Sequence, residues 1–271
     1  MSERLALSWD SLGNPGDPGI VLVHSLGADR SMWDSLSASL RGSHYVVRLD
    51  LRGHGVSPSP SGPYSIEELA DDVLAVADAA GLSRFHVCGI SLGGLVGLFL
   101  AARHSARLMS LVAANTAAKI GTETHWSERI RAVRASGMDG IADAVIARWF
   151  APGFREREPA TFAHLRRVFA TTQADGYVAC CQAIAAADLT AELPHIAVPA
   201  LIVGGELDPS TPVANARALH DGIPGSRLVV FPDAAHLSNL DVPAAFDRAV
   251  GDFLVSFDSR HVPHTRGRDP R

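Results

Sequence analysis

The stretch from 85 to 102 constrains the fold more than any other part of this chain. It carries no Asp, Glu, Lys or Arg, opens on Phe85-His86-Val87-Cys88, and runs through Gly89-Ile90-Ser91-Leu92-Gly93 into a helix-like stretch ending at Arg103. A membrane helix needs about 20 such residues, so the length alone just permits a span. His86, Ser91 and the glycines at 89, 93, 94 and 97 argue instead for a buried strand, a sharp turn and a buried helix. No membrane partner is expected.

Glycine two residues before and two after a serine has a steric meaning in that setting. A side chain held at the crest of a tight strand-to-helix turn takes strained backbone angles, and only small neighbours let strand and helix approach closely. The start of the helix then favours negative charge. The pattern G-x-S-x-G between strand and helix therefore marks Ser91 as a nucleophile. Cys88 is the competing thiol, but within the strand run it is expected to pack as a small hydrophobe.

Apolar runs at 19–24, 44–50, 85–89 and 108–115 are continuous rather than alternating, which predicts parallel strands covered on both faces. A shorter alternating pattern at Leu5, Leu7 and Trp9 predicts a strand before them. Between the runs lie helical patterns. Ser65-Ile66-Glu67-Glu68 reads as a capping box, and Ile66, Leu69, Val73, Val76 and Ala80 recur at helical spacing until Gly81. Strand alternating with helix predicts the α/β class, with a mostly parallel central sheet and helices on both faces. From about 120 to 193 strand-like runs give way to Ala- and Arg-rich helical stretches, with breaks predicted at Gly137, Pro152-Gly153, Pro159 and Gly176. Strands at 199–205 and 227–231 and a helix at 244–257 follow. The domain reading is a core of 1–118 and 194–257, a helical cap at 119–193, and a tail at 258–271 expected to be disordered.

With 271 residues, 47% of them hydrophobic, the chain can bury a large core. Its 24 Lys and Arg against 29 Asp and Glu leave no basic excess, so no nucleic-acid partner is expected. Cys88, Cys180 and Cys181 are odd in number and lack C-x-x-C spacing, which indicates neither a disulfide framework nor a zinc site. The first residues do not read as a signal peptide, and a cytoplasmic location is expected.

A serine hydroxyl needs a base, itself held by a carboxylate. Among 12 histidines, His236 follows the last predicted strand, in a loop that would hang over the carboxyl end of the sheet. Glu206 and Asp208 follow the preceding strand; Asp208, ahead of Pro209, is placed at the loop crest, with Glu206 as the alternative. His54, in Arg52-Gly53-His54-Gly55, is expected to shape a turn with Asp50 and Arg52. His24 is a candidate for touching substrate. His261 and His264 fall in the tail, where no metal role is expected.

The order Ser91, Asp208, His236 resembles that of the α/β-hydrolases with a helical cap between the sixth and seventh core strands, over about residues 5 to 257. Three stretches resemble the 3-oxoadipate enol-lactonases in particular. They are Val23-His24-Ser25-Leu26-Gly27 with Met32-Trp33-Asp34, then Ala114-Asn115-Thr116-Ala117-Ala118-Lys119-Ile120-Gly121 with Trp126, Arg129 and Ile130, and Ala234-Ala235-His236-Leu237-Ser238-Asn239. His24 departs from the Asn found in many of those enzymes, which leaves room for another substrate.

The resemblance implies the α/β-hydrolase fold and a serine hydrolase opening a carboxylate-bearing enol-lactone in aromatic catabolism. It implies Ser91, Asp208 and His236 as the triad and the N–H groups of Leu26 and Leu92 as the oxyanion hole. Ser25, Trp126, Arg129 and Trp149 are the implied substrate contacts, with Arg148 an alternative cation. No metal and no organic cofactor are required. Rival readings are a carboxylesterase, a C–C bond hydrolase or a perhydrolase of the same fold, and a non-catalytic small-molecule receptor.

Overall fold

The computed structural model describes residues 5–258. Its elements begin with β1 (Trp9–Leu12), β2 (Gly19–Val23), α1 (Asp34–Leu40), β3 (Tyr45–Leu49), α2 (Ile66–Ala79), β4 (Phe85–Ile90), α3 (Leu92–Arg103) and β5 (Leu108–Ala114). Helices α4 (Glu123–Ile146), α5 (Phe154–Arg157), α6 (Pro159–Thr171) and α7 (Ala174–Ala186) follow with no strand between them. Then come β6 (Ala200–Gly205), α8 (Val213–Gly222), β7 (Arg227–Phe231), α9 (Ser238–Asp241) and α10 (Pro243–Asp258). The reading of a disordered tail, with His261 and His264, lies outside the described residues except for Asp258, which ends α10.

Seven strands form one sheet in the order β1-β3-β2-β4-β5-β6-β7. Only β1 runs antiparallel to its neighbour. Strands β2, β4 and β6 are buried at every residue, as their continuous apolar sequences require. The chain moves outward from β2 to β3 and returns across β2 to β4. Right-handed crossovers then place α1 on one face of the sheet and α2 and α3 on the other. This reversal is a topological switch, and ligands of open α/β sheets bind outside the carboxyl ends of the strands at such a point. The pairs Val23↔Gly89, Ile90↔Ala114, Ala114↔Val203 and Gly205↔Phe231 align those ends, so the loops after β2, β4, β5, β6 and β7 share one rim.

The capping box forms at Ser65 and Glu68, and Gly81, at φ +78°, ends the turn after α2. The uncharged stretch divides into β4, the Ser91 turn and most of α3, and no helix among the described residues is long and apolar enough to cross a membrane.

Two expectations are corrected. The first strand starts at Trp9, because Leu7 is buried in the core ahead of the register that pairs Trp9 with Leu49. Gly176 does not break a helix; it sits in the first turn of α7, where a Cβ would run into the Cα of Gly53. Its lack of a side chain serves close packing of the helical segment on the core.

Candidate active site

Ser91 occupies the turn between β4 and α3 with φ 57° and ψ −115°. That conformation is strained for a residue with a Cβ and persists only if its surroundings fix it. They do so at every backbone group. Ser91 N–H donates to Ala114 O (3.0 Å), and Ser91 O accepts from Leu95 N–H (2.9 Å) and Thr116 Oγ1 (2.8 Å). A Cβ on Gly89 would strike the backbone of Gly93, and one on Gly93 would strike the carbonyl of Val23. Both glycines are therefore sterically required. The Leu95 bond is the first within α3, so the amides of Leu92, Gly93 and Gly94 have no acceptor inside the helix.

On the same rim, His236 Nδ1 lies 2.8 Å from Asp208 Oδ2. Asp208 Oδ2 also accepts from Thr211 Oγ1 (2.7 Å) and Asn115 Nδ2 (3.1 Å), while Oδ1 accepts from the Ser210 and Thr211 amides (2.7 and 3.0 Å). Burial pushes this carboxyl up, but the His236 imidazole and the Thr211 bonds outweigh burial and hold it below the usual carboxylate range. Glu206, the alternative acid, is exposed, whereas Asp208 is buried. With Nδ1 facing Asp208, Nε2 is left as the second ring nitrogen. Ser91 and His236 line one cavity, yet no hydrogen bond joins their side chains. Cys88 is fully buried in β4, and burial pushes its thiol up, away from the reactive thiolate.

The loop after β2 supplies the opposite wall through Ser25 and Leu26. Its amides can be accounted for one by one. Ser25 N–H points to Met32 Sδ (3.5 Å), Gly27 N–H to His54 Nε2 (2.9 Å) and Ala28 N–H to Ser25 O (3.1 Å). Leu26 N–H alone in this turn has no acceptor among the described residues. Gly27 takes φ +79°, and a Cβ there would meet the ring of Phe169. His24 does not touch the cavity, contrary to its candidacy. It is fully buried, with Nδ1 2.7 Å from Ser25 O and Nε2 accepting from Leu51 N–H at 2.9 Å. His54 makes the expected turn contact, Nδ1 to Arg52 O at 3.2 Å, and adds the unforeseen bond to Gly27.

Helices α4 and α7 and the residues after α4 close a cavity of about 240 Å³ over these groups. Trp126, Arg129, Arg148, Trp149 and Tyr177 line it. Trp126 is fixed by Nε1–H donation to Ile120 O (2.6 Å). Arg129 donates to Tyr177 OH (3.1 Å), and Arg148 to Pro209 O (3.0 Å) and Ser210 Oγ (3.3 Å). Neither guanidinium meets a carboxylate among the described residues, and no Asp or Glu lines the cavity. The arginines are the charged side chains on its wall. His125, also on the wall, is pushed below the ordinary histidine range by burial first, then by Arg129 and Arg148. Ile130 packs against the core instead, and Phe150 stacks on Phe154 with ring centroids 3.9 Å apart.

Sequence reasoning did not single out His125, Tyr177, Ser210 or Thr211, nor a structural role for Asn115 and Thr116. Thr211, three residues beyond Asp208, has the spacing of a side chain capping the acid loop. Asn115 carried a signal in its place at the end of a buried strand run and in the stretch that resembles the enol-lactonases, but neither gave its partners.

Residues 20–249 match the Alpha/beta hydrolase family. The chain is 38% identical to 3-oxoadipate enol-lactonase 2 of Acinetobacter baylyi, over 95% of this chain and 96% of that protein. It is 36% identical to 3-oxoadipate enol-lactonase 1 of the same organism, over 92% of this chain and 93% of that one. Among solved structures it resembles the enol-lactonase from Burkholderia xenovorans LB400 with a TM-score of 0.90 and 44% identity, covering 92% and 96% of the two chains.

Proposed function

The chain belongs to the alpha/beta hydrolase family, and from that premise we propose that it is a serine hydrolase opening a carboxylate-bearing enol-lactone, 3-oxoadipate enol-lactone, to 3-oxoadipate. The observation that carries this reading is the charge of the cavity. The space holding Ser91 and His236 is lined by Arg129 and Arg148 and by no Asp or Glu, and so favours a small anion. Relatives named for that reaction support the choice of substrate.

Ser91 Oγ attacks the lactone carbonyl as His236 Nε2 takes its proton, and Asp208 holds the imidazolium through Nδ1–H. The oxyanion accepts from the amides of Leu92, at the open start of α3, and Leu26, the amide of its turn without an acceptor. Collapse breaks the bond from carbonyl carbon to ring oxygen and expels an enolate. That enolate takes the proton from His236 and becomes the ketone of the product. Water, deprotonated by His236, then adds to the acyl carbon, and the bond to Ser91 Oγ breaks as His236 returns the proton to that oxygen. Arg129, steadied by Tyr177, pairs with the side-arm carboxylate, while Ser25, Trp126 and Trp149 shape the remaining wall. Segment 119–193 acts as a cap that keeps bulk water from the acyl-enzyme.

Spectrophotometric loss of the enol-lactone tests the reading. Wild type consumes it and Ser91→Ala does not. Ser91-dependent hydrolysis of a simple aryl acetate without any turnover of the enol-lactone would reassign the chain to carboxylesterase activity.

A further inference from the structure

Asn115 follows β5 with φ +44°, one of two non-glycine residues described with positive φ; Ser91 is the other. Asparagine tolerates this region better than most side chains. Its amide N–H donates to Val203 O on β6 (2.8 Å), which fixes the backbone. Its side chain is buried where three loops meet. Nδ2 donates to Asp208 Oδ2 (3.1 Å) in the loop after β6, and to Ala235 O (3.0 Å) in the loop after β7. Oδ1 accepts from Ser238 Oγ (2.6 Å) at the start of α9. Both groups facing Nδ2 are acceptors only, so the amide cannot be turned over without two acceptor–acceptor clashes.

We infer that Asn115 is a positioning residue of the hydrolytic reaction, holding the Asp208 carboxylate and the His236 loop in one register. The inference rests on the serine-hydrolase reading above. One amide group donates to the carboxylate that His236 uses and to the carbonyl directly before His236, so neither loop shifts without loss of its bond to Asn115. Thr116 extends the link by donating to Ser91 O. The dipeptide at the end of β5 therefore touches the turn of the nucleophile and the loops of the acid and the base. Asn115 itself does not line the cavity, so its effect reaches the substrate only through Asp208 and His236.

Two substitutions test this on a small aryl acetate, with Ser91→Ala as the control. Asn115→Asp keeps the shape and the acceptor for Ser238 but sets an oxygen against Asp208 and Ala235 O. Asn115→Gly removes the side chain and tolerates the left-handed backbone. Both are expected to lower kcat tenfold or more with KM within about twofold, because the alignment of acid and base is felt in the transition state. Asn115→Asp should also move the acid limb of kcat/KM to higher pH, since added negative charge favours the imidazolium. The other titratable or charged groups at this site are Asp208 behind His236 and Arg129, Arg148 and His125 on the wall of the same cavity, and these are common to all variants. A merely structural role would lower the unfolding temperature without moving that limb.

If Asn115→Asp does not fold, Asn115→Gly and Ser238→Ala carry the test. The latter frees the amide by removing its Oδ1 partner and should lower kcat more mildly, again without raising KM. Variants that keep wild-type kcat, or that raise KM alone, would overturn the role of Asn115. Hydrolysis that survives Ser91→Ala would instead overturn the serine-hydrolase reading on which it rests.

Discussion

His54 Nε2 accepts the amide hydrogen of Gly27 at 2.9 Å, one residue beyond the unbonded amide of Leu26. The bond exists only while that nitrogen keeps its lone pair. Burial first, then repulsion from His24, pushes His54 down to about 3 from an ordinary value of 6.5. Between those values the unfolded chain binds a proton that the folded chain refuses, so this site's stability is complete above pH 6.5 and is lost as pH falls toward 3. Each pH unit within that window costs about 1.4 kcal/mol. Urea unfolding at pH 7 and pH 5 should therefore show a clear acid loss in wild type and a smaller one in His54→Gln, whose amide oxygen can accept the same hydrogen. An equal loss in both would remove His54 as the source.

The proposed triad predicts non-additive losses. Ser91→Ala or His236→Ala should each lower kcat by orders of magnitude, and the double variant should be little worse than either, because the residues act as a unit. Multiplicative losses in steady-state assays would sink the assignment. Asp208→Asn should also be severe, since an amide nitrogen facing Nδ1 reverses the tautomer of His236. A mild effect there, with a severe one at the exposed Glu206, would move the acid.

Arg129 separates recognition from folding. Its pairing with a substrate carboxylate is present in ground and transition states alike, so Arg129→Ala should raise KM and leave kcat nearly unchanged. A charge-assisted hydrogen bond is worth about 1.5–3 kcal/mol, which is roughly ten- to a hundredfold in kcat/KM on the enol-lactone. On a neutral aryl acetate the same change should cost almost nothing. Equal losses on both substrates would refute the pairing. No loss on either would pass the role to Arg148, whose guanidinium is spread over Pro209 O and Ser210 Oγ.

What the sequence made legible was local or followed from strand order. The turn at Ser91 is written in Gly89, because the clash it avoids is with the nearby backbone of Gly93, whereas the clash Gly93 avoids is with Val23 on the neighbouring strand. The meeting of Ser91 and His236 on one cavity follows from parallel strands, whose carboxyl-end loops must share a rim. Side-chain direction was not written there. His24 lies one residue from the cavity wall and turns its ring into the core, toward Leu51 N–H. Asn115 reads as the end of a strand, since its partners at 208, 235 and 238 come together only after β6 and β7 have paired. Gly176 was misread for the same reason: a glycine after a helical run signals a stop, and nothing nearby announces the distant backbone of Gly53.

That contact yields the last prediction, which turns on sign. Alanine is favoured over glycine inside a helix by about 0.8–1.0 kcal/mol. Gly251, within α10, has open space where a Cβ would stand, so Gly251→Ala should stabilise the fold by about that amount and raise the unfolding temperature by a few degrees. Gly176 is helical too, yet a Cβ there would meet Gly53 Cα and Ser59 Oγ. Backbone offers no rotamer to escape into, so α7 must lift from the core. Gly176→Ala should therefore lower the unfolding temperature despite its better helix propensity. Because α7 also carries Tyr177, the partner of Arg129, it should raise KM for the enol-lactone more than for an aryl acetate. Calorimetry of the two alanine variants side by side decides it. If Gly176→Ala gains stability as Gly251→Ala does, the close approach of Gly53 and Gly176 is not what seats the helical segment.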